Sequence, residues 1–121
     1  MVLKSMDKNL LIYRIDSLLE HIDLVLEDTK GLTASQIKDS SLLVRATCFS
    51  ISQIGEIMNH LEKDLSSKYK SIPWVGARRM RNVIVHDYGS ADILQIYSTI
   101  CDDLPTLKLS FIEIKNDLLS E

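Results

Sequence analysis

Apolar residues recur along the first third of the chain at spacings of three and four, which is the pattern of an amphipathic helix. Ser5 or Asp7 is suited to cap its start, and Gly31 to end it, because glycine readily adopts the left-handed conformation that closes many helices. The apolar stripe consists of Leu11, Ile15, Leu18, Ile22 and Val25. The pattern therefore predicts one long helix between the two capping positions.

The rest of the chain shows the same periodicity, and no segment alternates like a strand. Pro73 and Pro105 suit the first turn of a helix, where a missing N–H costs nothing. The predicted elements are a short turn or helix over Thr33–Lys38 and helices from about Ser41 to Leu65, from Pro73 to about Val85, from Ser90 or Asp92 through Cys101, and from Pro105 onward. The sequence predicts an all-α antiparallel bundle of four long helices plus a short one, as a single domain over residues 1–121.

Composition narrows the class of protein. The 121 residues are 45% hydrophobic and 26% charged, which fits one globular domain with a core. Cys48 and Cys101 are too few for a disulfide framework and are predicted to be reduced, buried thiols. The N-terminus lacks the apolar stretch of a signal peptide, and no apolar run approaches the ~20 residues that cross a bilayer. We therefore expect a soluble cytoplasmic protein without membrane contact.

Positive charge is concentrated in one segment of an otherwise acidic chain. Between Asp64 and Asp87 there is no acidic residue, and the basic residues there are Lys68, Lys70, Arg78, Arg79 and Arg81. The remainder has nine basic against 17 acidic residues, a net charge of −8, compared with −3 for the whole chain. Such focusing suits an anionic ligand, although a solvated basic face would give the same pattern.

The segment Arg78–Tyr88 carries a group of polar side chains at the end of the third predicted helix. Arg78, Asn82 and His86 are four residues apart and therefore share one helix face. Arg81 lies about 100° around the helix and can reach the same patch. A guanidinium, an amide and an imidazole together suit phosphate binding and proton transfer. A histidine near a helix C-terminus is also a common capping residue, so the spacing alone leaves both interpretations open.

Four short motifs occur in order along nearly the whole chain. Gln53-Ile54-Gly55-Glu56 lies in the second long helix, Ile72-Pro73-Trp74 precedes the third, and Arg81-Asn82-Val83-Ile84-Val85-His86-Asp87-Tyr88 fits the pattern R-x4-H-x-Y. Asp92 and Leu104-Pro105 follow downstream. In this order the motifs resemble the iGE, IPW, RN-x4-HxY and LP segments of the HepT-like family of HEPN ribonuclease toxins.

The resemblance implies a HEPN-type bundle that works as a homodimer, with two copies of the motif facing each other across a cleft. It implies cleavage of RNA without a metal or a cofactor. In that reaction His86 would be the acid or base, Arg81 would stabilise the phosphorane, and Asn82 would orient the phosphate or His86. The products would be a 2′,3′-cyclic phosphate and a 5′-hydroxyl.

The resemblance also implies a partner. HepT-like toxins are typically paired with a minimal nucleotidyltransferase antitoxin that adenylylates the motif tyrosine, which is Tyr88 here. The attached AMP would place bulk and negative charge beside the site. A helix-end aromatic that packs its ring is the alternative for Tyr88. The alternative for the whole chain is a non-catalytic helical module that binds the nucleotidyltransferase or a nucleotide.

Residues around the motif complete the prediction. We expect Arg78, Arg79 and Lys70 to contact RNA, and Glu56 and Asp87 to support the catalytic residues. Gly55 interrupts a helix, at a cost of about 1 kcal/mol relative to alanine, which predicts a close approach of another helix. Trp74 is suited to the core or to stacking on a base, and its place at a helix start beside a proline favours the core. The histidines and cysteines show no metal-ligand spacing, so no metal site is predicted.

Overall fold

The computed structural model describes the backbone of residues 2–82 and 92–121, and the side chains of the same ranges from residue 8 onward. The helices are α1 (Val2–Thr29), α2 (Ala34–Lys38), α3 (Ser41–Leu65), α4 (Gly76–Arg81), α5 (Ile93–Ser98) and α6 (Leu104–Leu119), and a π-helical turn (Thr99–Asp103) joins the last two. The described ranges contain helices and no strands, which confirms the all-α prediction.

The early helices lie where the periodicity placed them. α3 has the predicted bounds, and α2 fills the predicted short element. Thr33 caps α2: its hydroxyl accepts a hydrogen bond from the Gln36 N–H, and the Gln36 side chain accepts one from the Thr33 N–H. Gly31 has a φ of 75°, the left-handed conformation expected after α1. α1 begins at Val2, before the predicted caps, and none of its first residues is a glycine or proline, the two residues that most disfavour a helix.

Pro105 lies in the first turn of α6, as predicted. The predicted gap between Cys101 and Pro105 is wrong, because the chain from Ile93 to Leu119 forms one continuous helical rod. Asp92 caps this rod, as predicted, by accepting bonds from two backbone N–H groups. Pro105 cannot donate a hydrogen bond, and in an α-helix its ring would collide with the Cys101 carbonyl. The π-helical turn just before it widens the helix and accommodates the ring. Cys101, in that turn, is exposed rather than buried, whereas Cys48 is buried as predicted.

α1 runs antiparallel to α6. Asp16 pairs with Lys115 at 2.6 Å and Asp23 with Lys108 at 2.7 Å, so residue numbers fall along α6 as they rise along α1. Exposed pairs of this kind contribute little stability, roughly 0–1 kcal/mol each. Burial of the apolar side chains contributes more to stability, because those that lie between α1, α6 and α3 are fully buried. These core residues include Ile15, Leu18, Ile22, Ile51, Ile54, Met58, Leu61 and Phe111.

Two aromatic residues hold the connection between α3 and α4 against α6. The Trp74 side chain is 7% exposed, donates from its indole N–H to the Tyr69 carbonyl at 3.0 Å, and meets Phe111 edge to face. The Tyr69 hydroxyl donates to Asp117 on α6 at 3.1 Å. Trp74 is therefore a core residue, as predicted. Together the two rings set where α4 starts relative to α6.

The hydrogen bond between Tyr69 and Asp117 predicts a loss of stability at alkaline pH. Burial, followed by the contact with Asp117, raises the pKa of the Tyr69 hydroxyl from its ordinary 10.0 to about 12. Since the unfolded chain then releases this proton first, the contribution is complete below about pH 10 and is lost as the pH rises through about 12. Urea unfolding at several pH values should show a smaller alkaline decline for Tyr69→Phe than for wild type.

The control for this experiment is Tyr13→Phe, because Tyr13 is 71% exposed on α1. This variant should lose free energy of unfolding with pH as steeply as wild type does. Equal slopes for all three proteins would contradict the role assigned to the Tyr69 hydroxyl.

Candidate functional site

The short helix α4 packs on α3 at Gly55. A Cβ atom on Gly55 would lie 2.5 Å from the backbone nitrogen of Arg81, 2.6 Å from the backbone oxygen of Ala77 and 2.8 Å from the Met80 Cβ. Only a residue without a side chain permits this separation of the two backbones. The close approach predicted from the mid-helix glycine is confirmed, and it places the Arg81 backbone directly over α3.

The start of α4 differs from the prediction. Pro73 was expected in its first turn, but the helix begins at Gly76. Residues 72–75 form a turn instead, in which the Trp74 N–H donates to the Ile72 carbonyl and the Gly76 N–H to the Pro73 carbonyl. The buried Trp74 ring holds this turn in place, so α4 begins only after Trp74.

The described part of α4 ends at Arg81. The Asn82 N–H is shared between the carbonyls of Arg78 and Arg79, both at 3.2 Å, and Asn82 has φ −87° and ψ 1°. This geometry is typical of a closing helical turn rather than a helix interior. The predicted end at Val85 lies outside the described residues.

α4 turns its apolar side chains inward and its charges outward. Ala77 and Met80 are buried, whereas Arg78, Arg79 and Arg81 are exposed. Asn82 is also exposed, as is Lys70 in the connection before the helix. The positive charge seen in the sequence is therefore a surface feature. Contact between these residues and RNA stays a prediction.

Arg81 forms an ion pair with Glu56 across the junction of α3 and α4. Its Nε lies 3.1 Å from the Glu56 Oε2, and the side chains are 41% and 46% exposed. The other carboxylate oxygen, Oε1, lies 3.7 Å from the Nε2 of His60, one turn further along α3. The structure thus brings Glu56, which the sequence predicted to support the catalytic residues, into contact with Arg81, one of those residues. Their roles in a reaction stay predictions.

The remaining predicted site residues lie outside the described residues. These are His86, Asp87 and Tyr88, which follow Asn82 in the sequence. The structure therefore describes Arg81 and Asn82 of the proposed catalytic set, together with Glu56. The function assigned to the other three rests on the motif.

The sequence did not predict a groove that lies beside α4. It has a volume of about 350 Å³ and lies between α4 and the helical rod. Its lining includes Arg79, Ser98, Thr99, Asp102 and Asp103. These residues come from segments that are far apart in the sequence, so no local motif could have revealed the groove.

In residues 8–82 and 92–121, no three His, Cys, Asp or Glu side chains are grouped so that they could hold a metal ion. Among the helices of residues 2–82 and 92–121, none has the length and apolar character needed to cross a membrane. The expectation that the reaction needs no metal stays a prediction.

Comparison with known proteins identifies the family. The profile of HepT-like ribonucleases matches residues 18–114. A Methanocaldococcus jannaschii protein named gamma-glutamylcyclotransferase and putative RNase is 31% identical over 113 residues, which cover 93% of this chain and 50% of the relative. This chain thus spans half the length of that relative. No solved structure matches the chain.

Other relatives align over most of their length. A putative RNase of Caldanaerobacter subterraneus is 27% identical over 100 residues, 83% of this chain and 89% of the relative. A probable ribonuclease HepT of Thermococcus cleftensis is 25% identical over 101 residues, 84% of this chain and 92% of the relative. The profile match begins in α1 and ends in α6, so it includes α4 with its arginines and the packing site at Gly55. With the order of motifs and the all-α fold in agreement, this chain belongs to the HepT-like ribonuclease family.

Proposed function

We propose that this chain is a metal-independent endoribonuclease and the toxin of a type II toxin–antitoxin pair. The observation that carries the proposal is the packing of α4 on α3 at Gly55, which leaves Arg78, Arg79 and Arg81 exposed together at the start of the motif. Membership of the HepT-like ribonuclease family supports the activity. The relatives named as RNases support it as well.

In the proposed reaction, the ribose 2′-hydroxyl attacks the adjacent phosphorus. The O2′–P bond forms and the P–O5′ bond breaks, which leaves a 2′,3′-cyclic phosphate and a 5′-hydroxyl. His86 removes the proton of the attacking hydroxyl or delivers one to the leaving oxygen. Arg81 stabilises the negative charge on the phosphorane, and Asn82 orients the phosphate or His86.

The reaction needs both a base and an acid, but the motif provides one histidine per chain. A homodimer with two-fold symmetry would bring a second His86 to the same phosphate. We therefore propose a composite site at the interface between two copies of the chain. The exposed Lys70, Arg78 and Arg79 would hold the flanking phosphates of the RNA.

The experiment that tests this function is RNA cleavage by the purified chain in EDTA, with analysis of the product ends. We expect cleavage to persist and the products to carry cyclic phosphate and 5′-hydroxyl ends. Cleavage that is lost in EDTA and restored by Mg²⁺ would contradict the metal-independent mechanism. RNA left intact by a chain that still binds a nucleotidyltransferase would favour the non-catalytic module.

We further propose that a minimal nucleotidyltransferase neutralises the toxin by modifying Tyr88. The phenolic oxygen attacks the α-phosphorus of ATP, the phenol proton is released, and pyrophosphate leaves. The resulting phosphodiester carries a negative charge in the same motif as Arg81 and His86, where it would compete with the phosphates of RNA. The proposal rests on the match of Tyr88 to the motif tyrosine.

Mass spectrometry of the intact protein tests this modification. After incubation with the partner and ATP, wild type should gain mass in steps of one AMP, and Tyr88→Phe should gain none because it lacks the hydroxyl. The matched control is Tyr13→Phe, which removes an exposed hydroxyl from α1 and should be labelled like wild type. Labelling of Tyr88→Phe at the wild-type level would contradict the assignment.

A further inference from the structure

Glu56 contacts Arg81 through the inner nitrogen of the guanidinium group. The short distance, 3.1 Å, joins the carboxylate Oε2 to Nε. A guanidinium carries four more N–H donors on its two terminal nitrogens, and this end-on pair is the fork that binds a phosphate in bidentate fashion. A carboxylate 3.1 Å from Nε therefore attracts the group from its inner side, and this contact does not itself use the terminal fork.

The backbone that carries Glu56 is closely packed. Glu56 follows Gly55 directly in α3, at the point where the Arg81 backbone comes closest to that helix. The second carboxylate oxygen of Glu56 faces the His60 imidazole at 3.7 Å. The two side chains of the pair are each only about half exposed, at 46% for Glu56 and 41% for Arg81. Glu56 therefore approaches Arg81 from a closely packed part of the fold.

We infer that Glu56 is a positioning residue that orients the Arg81 guanidinium toward the phosphate of bound RNA. The inference rests on the proposed ribonuclease function. An arginine without such a partner samples many rotamers, and a displacement of about 1 Å in a catalytic group can cost on the order of a hundredfold in rate. A surface ion pair with only a structural role would instead affect stability slightly and leave the rate unchanged.

Steady-state cleavage by wild type, Glu56→Ala and Glu56→Gln tests the inference. Glutamine keeps the length of the side chain and an oxygen that can face the guanidinium, so it should rescue the function. We expect Glu56→Ala to lower kcat roughly tenfold or more with little change in KM, and Glu56→Gln to stay within about threefold of wild type. The matched control, Glu62→Ala, removes the same charge from another side of α3 and should cleave like wild type.

Two outcomes of this assay would overturn the inference. The first is a Glu56→Ala variant with the kcat of the Glu62→Ala control. The second is an equal fall in kcat for the alanine and glutamine variants together with a KM below that of wild type. That result would mean that Glu56 acts only through its charge. Both alanine variants should melt within a few degrees of each other, as expected for partly exposed charges.

An NMR measurement decides the same point without using activity. The Nε–H signal of Arg81, identified by its absence in Arg81→Lys, should move in Glu56→Ala, because the carboxylate 3.1 Å from this nitrogen is removed, and should keep its position in the Glu62→Ala control. A signal that does not move in Glu56→Ala would overturn the inference. If wild type cleaves no RNA, the proposed function fails by itself, and the signal still shows whether Glu56 contacts Arg81 in solution.

Discussion

Replacing His86 with alanine should abolish RNA cleavage, with a fall in rate of about 10⁴-fold. Removing one positioned acid or base typically costs 10²–10⁴-fold, and in a composite site the substitution removes both at once. Arg81→Ala should also be strongly impaired, because the charge of the phosphorane then lacks its main counterion. Single-turnover cleavage of end-labelled RNA in EDTA measures both effects. His86→Ala that cleaves like wild type would reject His86 as the catalyst.

Mixed dimers extend this test to the composite site. When wild type is assembled with an excess of His86→Ala, most wild-type chains are paired with a variant chain. If each site needs a histidine from both copies, cleavage should fall well below the amount of wild type present. Activity that stays proportional to the wild-type chains would contradict the shared site while leaving the role of His86 intact.

Replacing Gly55 with alanine should displace α4 and destabilise the protein. The new Cβ would lie 2.5 Å from the backbone nitrogen of Arg81 and 2.6 Å from the backbone oxygen of Ala77, and neither atom can move without moving the helix. Overpacking of this kind costs about 3 kcal/mol, and alanine recovers about 1 kcal/mol through its helix propensity. We expect a net loss of about 2 kcal/mol in the free energy of unfolding, or about 8 °C in Tm.

The matched control for this prediction is Gly76→Ala on α4 itself. A Cβ there would meet only the Pro73 Cβ, at 3.9 Å, which is an ordinary contact. This variant should melt within about 2 °C of wild type or slightly above it. The melting temperature from calorimetry and the rate of RNA cleavage should both distinguish the two variants, because only Gly55→Ala is expected to displace Arg81. Similar melting temperatures for both variants would contradict the close packing of α4 on α3.

The helices and the chemistry of the motif were accessible from the sequence because both are local. Apolar residues with a period of 3.6 marked α1 and gave the bounds of α3, and residues predicted at helix ends, such as Gly31 and Asp92, act within one turn. The order of the motifs predicted the HepT-like family, which the profile match confirms. The close approach at Gly55 was also predictable, because a glycine inside a helix carries a cost that packing must offset.

Tertiary packing decided the rest. No gap precedes Pro105, because the π-helical turn just before it accommodates the proline ring while the apolar face continues into α6. α4 starts at Gly76 because the Trp74 ring occupies the core just before it. The contact of Glu56 with Arg81 exists only because Gly55 lets two backbones meet. Sequence periodicity determines which face of a helix is apolar, whereas the partner of a charged side chain depends on how separate helices pack.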